Sequence, residues 1–111
     1  MEKVVKDLLI ELQYIEKHYN EAKTTGEDFN FYQTVKPYVQ HIDDILNKLN
    51  QYQDNILLLP YMNEKKLKLL FNNIKELSVD CHFHRTSRKL FIEKFKAVNY
   101  DLNYLLEYTK E

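Results

Sequence analysis

One glycine, two prolines, one cysteine and no tryptophan stand among the 111 residues of this chain, and each scarcity excludes something. A dinucleotide fold or a P-loop brings backbone against phosphate through several glycines, so a lone Gly26 excludes both. So little punctuation also argues against a succession of short strands and leaves a few long helices with short joints. Cys81 has no second cysteine to join, so no internal disulfide forms and nothing points to an oxidising compartment. The longest apolar run, Ile56-Leu57-Leu58-Leu59, falls far short of a membrane span. The first residues, Met1-Glu2-Lys3-Val4-Val5-Lys6-Asp7, are too charged for the apolar region of a signal peptide. The expectation is a cytoplasmic protein that does not enter the membrane.

What is present is the mixture of an ordinary soluble globular chain, 44% hydrophobic and 30% charged, at the length of a single domain spanning residues 1–111. The net charge of −1 hides an uneven distribution. Residues 1–61 hold six Lys against ten Asp and Glu, residues 62–96 hold nine Lys and Arg against four acids, and residues 97–111 hold one Lys against three acids. The simplest expectation is that the acidic and basic segments pair with each other in the fold.

Apolar residues recur at alternating spacings of three and four, which places them on one stripe of a helix. The stripe of a first helix, roughly Glu2 to Lys23, reads Val5, Leu8, Leu12, Ile15, Tyr19 and Ala22. Thr25-Gly26 ends it, with glycine where a left-handed C-cap is least costly. A second helix begins at Asp28 as N-cap and carries Tyr32, Val35, Val39, Ile42, Leu46 and Leu49. Pro37 falls inside that pattern, so either a kink at Lys36-Pro37 or a short helical turn over 29–36 followed by a new helix starting at Pro37 is expected. Pro60 interrupts the pattern again, and Leu57 to Leu59 are expected to fold back over the end of the core. Asn63 caps a third helix with Leu67, Leu70, Ile74, Leu77, Cys81 and His84 on its stripe, and Thr86 or Ser87 caps a fourth with Phe91, Phe95, Val98, Leu102 and Leu105. Four such helices joined by short loops predict an all-α, antiparallel up-down-up-down four-helix bundle. The joints at Gly26 and Thr86 then share one end, and the Pro60 loop and both termini share the other.

Candidate chemistry is thin. Di-iron bundles carry Glu-x-x-His pairs, and Ile15, Tyr38, Val79 and Cys81 stand three places before the four histidines instead. His82 and His84 point about 200° apart on a helix. Cys81 and His84 share a face, but two ligands fall short of the four of a structural zinc. Cys81 lies on the core stripe, where a thiol is a small apolar residue and not a nucleophile. No catalytic residue, cofactor or metal is therefore expected, and the chain is read as a non-enzyme. Lys and Arg on the third and fourth helices supply charge for nucleic acid, which the slightly negative total disfavours.

Two surfaces stand out. At the shared end, Asp28, Tyr32 and Lys36 are expected near His84, Arg85 and Arg88. They form either a polar cap, with Asp28 bonded to Arg85, Arg88 or Lys89, or a small-ligand or anion site, since cations beside a helix N-terminus favour negative charge. On the fourth helix, with Val98 at zero, the core stripe centres near about 20°, and Tyr100, Tyr104 and Tyr108 fall at about 200°, 240° and 280°. That stripe faces away from the core and is a candidate contact for a protein partner or a second copy.

Asp28-Phe29-x-Phe31-Tyr32-x-x-Val35-Lys36-Pro37, the Pro60-Tyr61 pair, His82-x-His84-Arg85-Thr86-Ser87-Arg88-Lys89 and Val98-x-Tyr100-x-Leu102 together resemble the YppE-like family. These are small cytoplasmic proteins of unknown function from Gram-positive bacteria. The likeness covers nearly all of the chain beyond the first helix, which matches only in length and pattern. It implies an all-helical four-helix bundle, and it implies no catalytic residue or cofactor. Family members often carry Trp after the Lys-Pro helix where this chain has Asn and Tyr, so that face is expected to pack differently. The leading expectation is a non-enzymatic interaction module with an unidentified protein partner, possibly itself in a second copy. A ligand- or anion-binding protein using the 28–37 and 82–89 segments is the alternative.

Overall fold

The computed structural model describes residues 1–109, so the last two positions of the expected domain lie outside the described residues. The chain runs through α1 (Glu2–Thr25), a π-helical turn (Phe31–Val35), α2 (Lys36–Asn50), the short α3 (Gln53–Leu57), α4 (Glu64–Asp80) and α5 (Arg88–Thr109). Four of the five α-helices are long, and the described residues contain no strand. α1 packs against α2 and α5, α4 packs against the same two, and α1 and α4 meet only lightly. The long dimension of 43 Å is set by helices such as α1, whose 24 residues span about 36 Å at 1.5 Å per residue.

α1 buries Val5, Leu8, Leu12, Ile15, Tyr19 and Ala22, the stripe read from the three–four spacing. Gly26 ends it at φ 69°, donating its N–H to the Ala22 carbonyl. A Cβ there would meet nothing within 4 Å, so the penalty of a side chain is conformational alone. Gly26→Ala is expected to lower stability by roughly 1 to 2 kcal/mol, read as a lower urea midpoint. An unchanged midpoint would mean that the joint relaxes out of the left-handed region.

The segment before α2 departs from the sequence reading in its cap, its helix type and its phase, and agrees with it in starting a new helix at Lys36-Pro37. Asp28 is not the N-cap: Asn30 is, its side chain accepting the Gln33 N–H at 2.8 Å. The helical backbone from Phe31 to Val35 is π, with the Val35 and Lys36 N–H groups reaching back five residues to the carbonyls of Asn30 and Phe31. Pro37 then stands in the first turn of α2, where its missing N–H is no loss. The expected break at Lys36-Pro37 is thus a change of helix type, from π to α. The extra residue in the π turn shifts the phase of everything before Val35. Tyr32, expected on the core stripe, is 76% exposed, while Tyr38 and Ile45 join Val35, Ile42, Leu46 and Leu49 inside, with Val39 only partly buried.

α4 begins at Asn63, whose side chain accepts the Lys66 N–H at 2.8 Å. It buries Leu67, Leu70, Ile74, Leu77 and Ser78, and stops at Asp80. Because the helix ends there, the stripe does not extend to His84. His82 turns inward and is 0% exposed, while His84 lies at the rim. Ser87 caps α5 by accepting the Leu90 N–H at 3.3 Å. Of the expected α5 stripe, Phe91, Val98, Leu102 and Leu105 are buried and Phe95 is partly so. The helix α3 was not expected. It lays Ile56 into the core, with Leu57 and Leu59 against it and Leu58 outside.

The charged segments do not pair across the fold as expected. Among the described residues, Lys94 bonds Glu76 at 2.5 Å and Asp80 at 3.8 Å, all within the basic segment. The side-chain bond that joins the first acidic segment to the basic one runs from the Asp28 carboxylate to the His84 imidazole.

Candidate functional site

At the end where α1 and α4 stop, two joints are laced together by polar atoms. Residues 82–86 present backbone groups to the α1–α2 connection. The Asp28 carboxylate accepts the His84 N–H at 2.9 Å and bonds His84 Nδ1 at 2.7 Å. The backbone bond first, and the imidazole second, hold the Asp28 carboxyl below its usual range. The Phe29 N–H donates to the His82 carbonyl at 2.9 Å. Lys23 Nζ donates to the carbonyls of His84 and Thr86 at 2.8 and 2.5 Å, and Thr86 Oγ1 donates to the Asp80 carbonyl at 2.5 Å.

This geometry brings together Asp28 and His84 from the six residues expected at that end. It corrects the partner of Asp28, whose carboxylate bonds His84 and not Arg85, Arg88 or Lys89. The reason is the turn after Asp80, which aims a backbone N–H and an imidazole at the same carboxylate. Tyr32 stands outside, edge-on to Phe31 at 5.2 Å. Lys36 opens onto a groove between α2 and α4, and Arg88 onto a separate cleft between α1 and α5. Arg85 is exposed. The six residues therefore do not converge on one recess, and Asp28, His84 and Lys23 use their polar atoms to fasten loops.

Beneath this cap lies a cluster that sequence reasoning missed. His18 is stacked between Tyr14, at 3.9 Å, and Phe29, at 4.4 Å, and Tyr14 stacks on Tyr38 at 4.0 Å. The Tyr38 hydroxyl donates to Glu11 Oε1 at 2.9 Å, and His41 Nε2 bonds Glu11 Oε2 at 3.1 Å. His82 sits edge-on to the four rings, with Nε2 3.4 Å from the Tyr14 hydroxyl and Nδ1 3.4 Å from Cys81 Sγ. The available signal was spacing: Tyr14 and His18 four apart, Tyr38 and His41 three apart, each pair on one helical face.

Burial governs the chemistry of this cluster. It lowers His82 to about 4, with His18 adding to the effect, so the imidazole is neutral near pH 7. It raises Tyr14 to about 12 and pushes the Cys81 thiol above its ordinary value. The Cys81–His82 contact consequently joins a thiol to a neutral base, not a thiolate to an imidazolium. The described residues contain no group of three or more His, Cys, Asp and Glu placed to hold a metal ion.

On the opposite flank, Tyr100 is 62% exposed and Tyr108 is 55% exposed, while Tyr104 is partly buried. The Tyr104 hydroxyl accepts the Tyr61 N–H at 2.9 Å, and the Tyr61 ring contacts both Tyr100 and Tyr104. Lys66 Nζ stands 3.5 Å over the Tyr61 ring. Four tyrosines from α5 and the loop after Pro60 thus make one aromatic surface.

The helices, the fastened end and the exposed aromatic flank define a small all-helical protein. The chain belongs to the family described as a bacterial domain of unknown function, DUF1798, which matches residues 5–109. It is 48% identical to a member of that family from Staphylococcus aureus subsp. aureus, whose crystal structure superposes with a TM-score of 0.95 over 96% of this chain and 93% of that one. The uncharacterized protein YppE of Bacillus subtilis is 22% identical over 88 residues, 77% of this chain and 72% of the relative. The crystal structure of YppE shares the fold at a TM-score of 0.85 and 17% identity, covering 96% of this chain and 89% of that one. The YppE-like resemblance read from the sequence is thereby a family relationship.

Proposed function

We propose that this chain is a non-enzymatic protein-interaction module of the bacterial cytoplasm, built as a single-domain, antiparallel up-down-up-down four-helix bundle. The topology is supported by the closed ring of α1, α2, α4 and α5. It is also supported by the opposed pairing of α4 with α5, in which Tyr61 meets Tyr104 while Glu76 and Asp80 meet Lys94. No helix among the described residues is long and apolar enough to cross a membrane.

The observation that carries the functional reading is the exposure of Tyr100 and Tyr108 on a helix whose opposite face buries Phe91, Val98, Leu102 and Leu105. Tyrosine offers a large, rigid apolar area with a polar tip, which is the composition of interface anchors. The partner is a protein, a second copy of this chain included. Tyr100→Ser with Tyr108→Ser is expected to change stability by no more than about 0.5 kcal/mol per site. The same pair should cut capture of the partner from a Gram-positive cytoplasm, or self-association in sedimentation, by roughly tenfold. A stable variant that captures the same protein equally well removes the reading. Tyr104 is left intact because it holds the Tyr61 backbone.

A further inference from the structure

Between α2 and α4 three recesses lie end to end. The first, of about 380 Å³, has Phe31, Val35, Val39 and Val79 on its apolar side. It shares Asp43 with a second of about 330 Å³, which shares Asn50 and Phe71 with a third of about 350 Å³. Together they form a furrow that follows the 15 residues of α2 and the 17 of α4. Its floor continues through Leu46, Phe71 and Leu67.

The two walls carry opposite net charge. Asp43 and Asp44 outnumber Lys36 on the α2 side, and Lys68 and Lys75 outnumber Glu64 on the α4 side. Asp43 and Lys75 line the same recess, yet among the described residues no ion pair joins α2 to α4. The mouth of the furrow is the π turn, an arrangement enriched at functional positions, and its phase shift leaves Phe31 and Tyr32 standing free of the core.

We infer that this furrow receives an amphipathic helix of a partner protein. Its apolar stripe lies on the valine, leucine and phenylalanine floor. One flank bears Lys or Arg against Asp43 and Asp44, and the other bears Asp or Glu against Lys68 and Lys75. A helix fits because the furrow runs the length of two helices and has apolar side chains at its base, the form in which helix-in-groove recognition works. The mixed flanks follow from walls that attract opposite signs and do not satisfy each other. The proposal rests on the interaction-module reading but uses a face distinct from the tyrosines.

The test uses three fluorescent peptides of about 18 residues, about 27 Å as a helix. All carry the same leucine stripe, with Lys on one flank and Glu on the other, Lys on both, or Glu on both. At low salt the mixed peptide should bind roughly fivefold more tightly than either control and gain helical circular dichroism on binding. Asp43→Lys with Asp44→Lys makes both walls basic and should move the preference to the double-Glu peptide. Lys68→Glu with Lys75→Glu should move it to the double-Lys peptide, which keeps the test open if one variant folds poorly. Equal binding of all three peptides, an order that neither variant alters, or binding without helix gain overturns the proposal. So does a dimer of this chain that the Asp43 and Asp44 variant dissociates, because the occupant is then a second copy. Tyr100→Ser with Tyr108→Ser should leave peptide binding unchanged. If the peptides fail while the tyrosine variant still loses its partner, only the furrow assignment falls. If the peptide order holds while the tyrosine variant keeps its partner, only the tyrosine reading falls.

Discussion

Between pH 6.5 and pH 4 the folded chain is expected to lose roughly 2 to 3 kcal/mol of stability through His82. His82 is wholly enclosed by Tyr14, His18, Phe29, Tyr38 and Cys81, and burial lowers it from 6.5 to about 4. In that window the unfolded chain takes up a proton that the folded chain refuses. Stability is therefore complete above the unfolded value and is lost as pH falls toward the folded one. His18, also lowered by burial, acts in the same sense. Asp80 and Asp101, raised by burial, act in the opposite sense, because their folded carboxyls accept protons before the unfolded ones do. Asp28, held low by His84, adds its loss only at still more acidic pH.

Urea unfolding at pH 6.5 and pH 4.5 measures the slope directly, and His82→Gln should remove most of it. An imidazole resonance assigned to His82 that titrates near 6.5 in the folded chain would refute the account, whether or not the glutamine variant folds.

Leu77→Ala is expected to cost about 2 to 5 kcal/mol. Leu77 is fully enclosed in the core cluster of buried side chains, so alanine forfeits its burial and leaves a cavity that rigid helices close only in part. Against a total of about 5 to 15 kcal/mol for a natural domain, that is a large share. Leu69, on the same helix but exposed, is the internal control: Leu69→Ala should stay within about 0.5 kcal/mol. Equal urea midpoints for the two variants would show that burial at Leu77 does not translate into stability.

Where the backbone is regular, spacing alone located the core. All six expected residues of α1 are buried, and so are the first five on α4 and its joint, Leu67 through Cys81. The misreadings fall where periodicity stops applying. Tyr32 leaves the core because a π turn, which no residue type announces, resets the phase before Val35, whereas Tyr38, three residues past Val35 and four before Ile42, takes the inward place expected of Val39. His84 and His82 exchange for a related reason, since α4 ends at Asp80 and the next residues follow a turn. The polar end was legible in composition but not in pairing. Arg85 and Arg88 are the stronger cations, yet the turn puts His84 on Asp28. The rings of Tyr14 and His18, partly buried, and of Tyr38, buried, escaped notice because each lies beside the apolar stripe expected of its helix. The outward angle of Tyr100 and Tyr108 needed only the helical repeat of an unbroken α5.

Phe29 belongs to no helix, yet its amide proton is engaged by the carbonyl of His82. In deuterated solvent such a proton exchanges when its acceptor departs, not when a helix of its own frays. The amide of a connecting residue near the start of the chain thereby becomes a clock for the opening of the α4–α5 joint. Its exchange should keep step with that of His84, whose amide is held from the other side by Asp28.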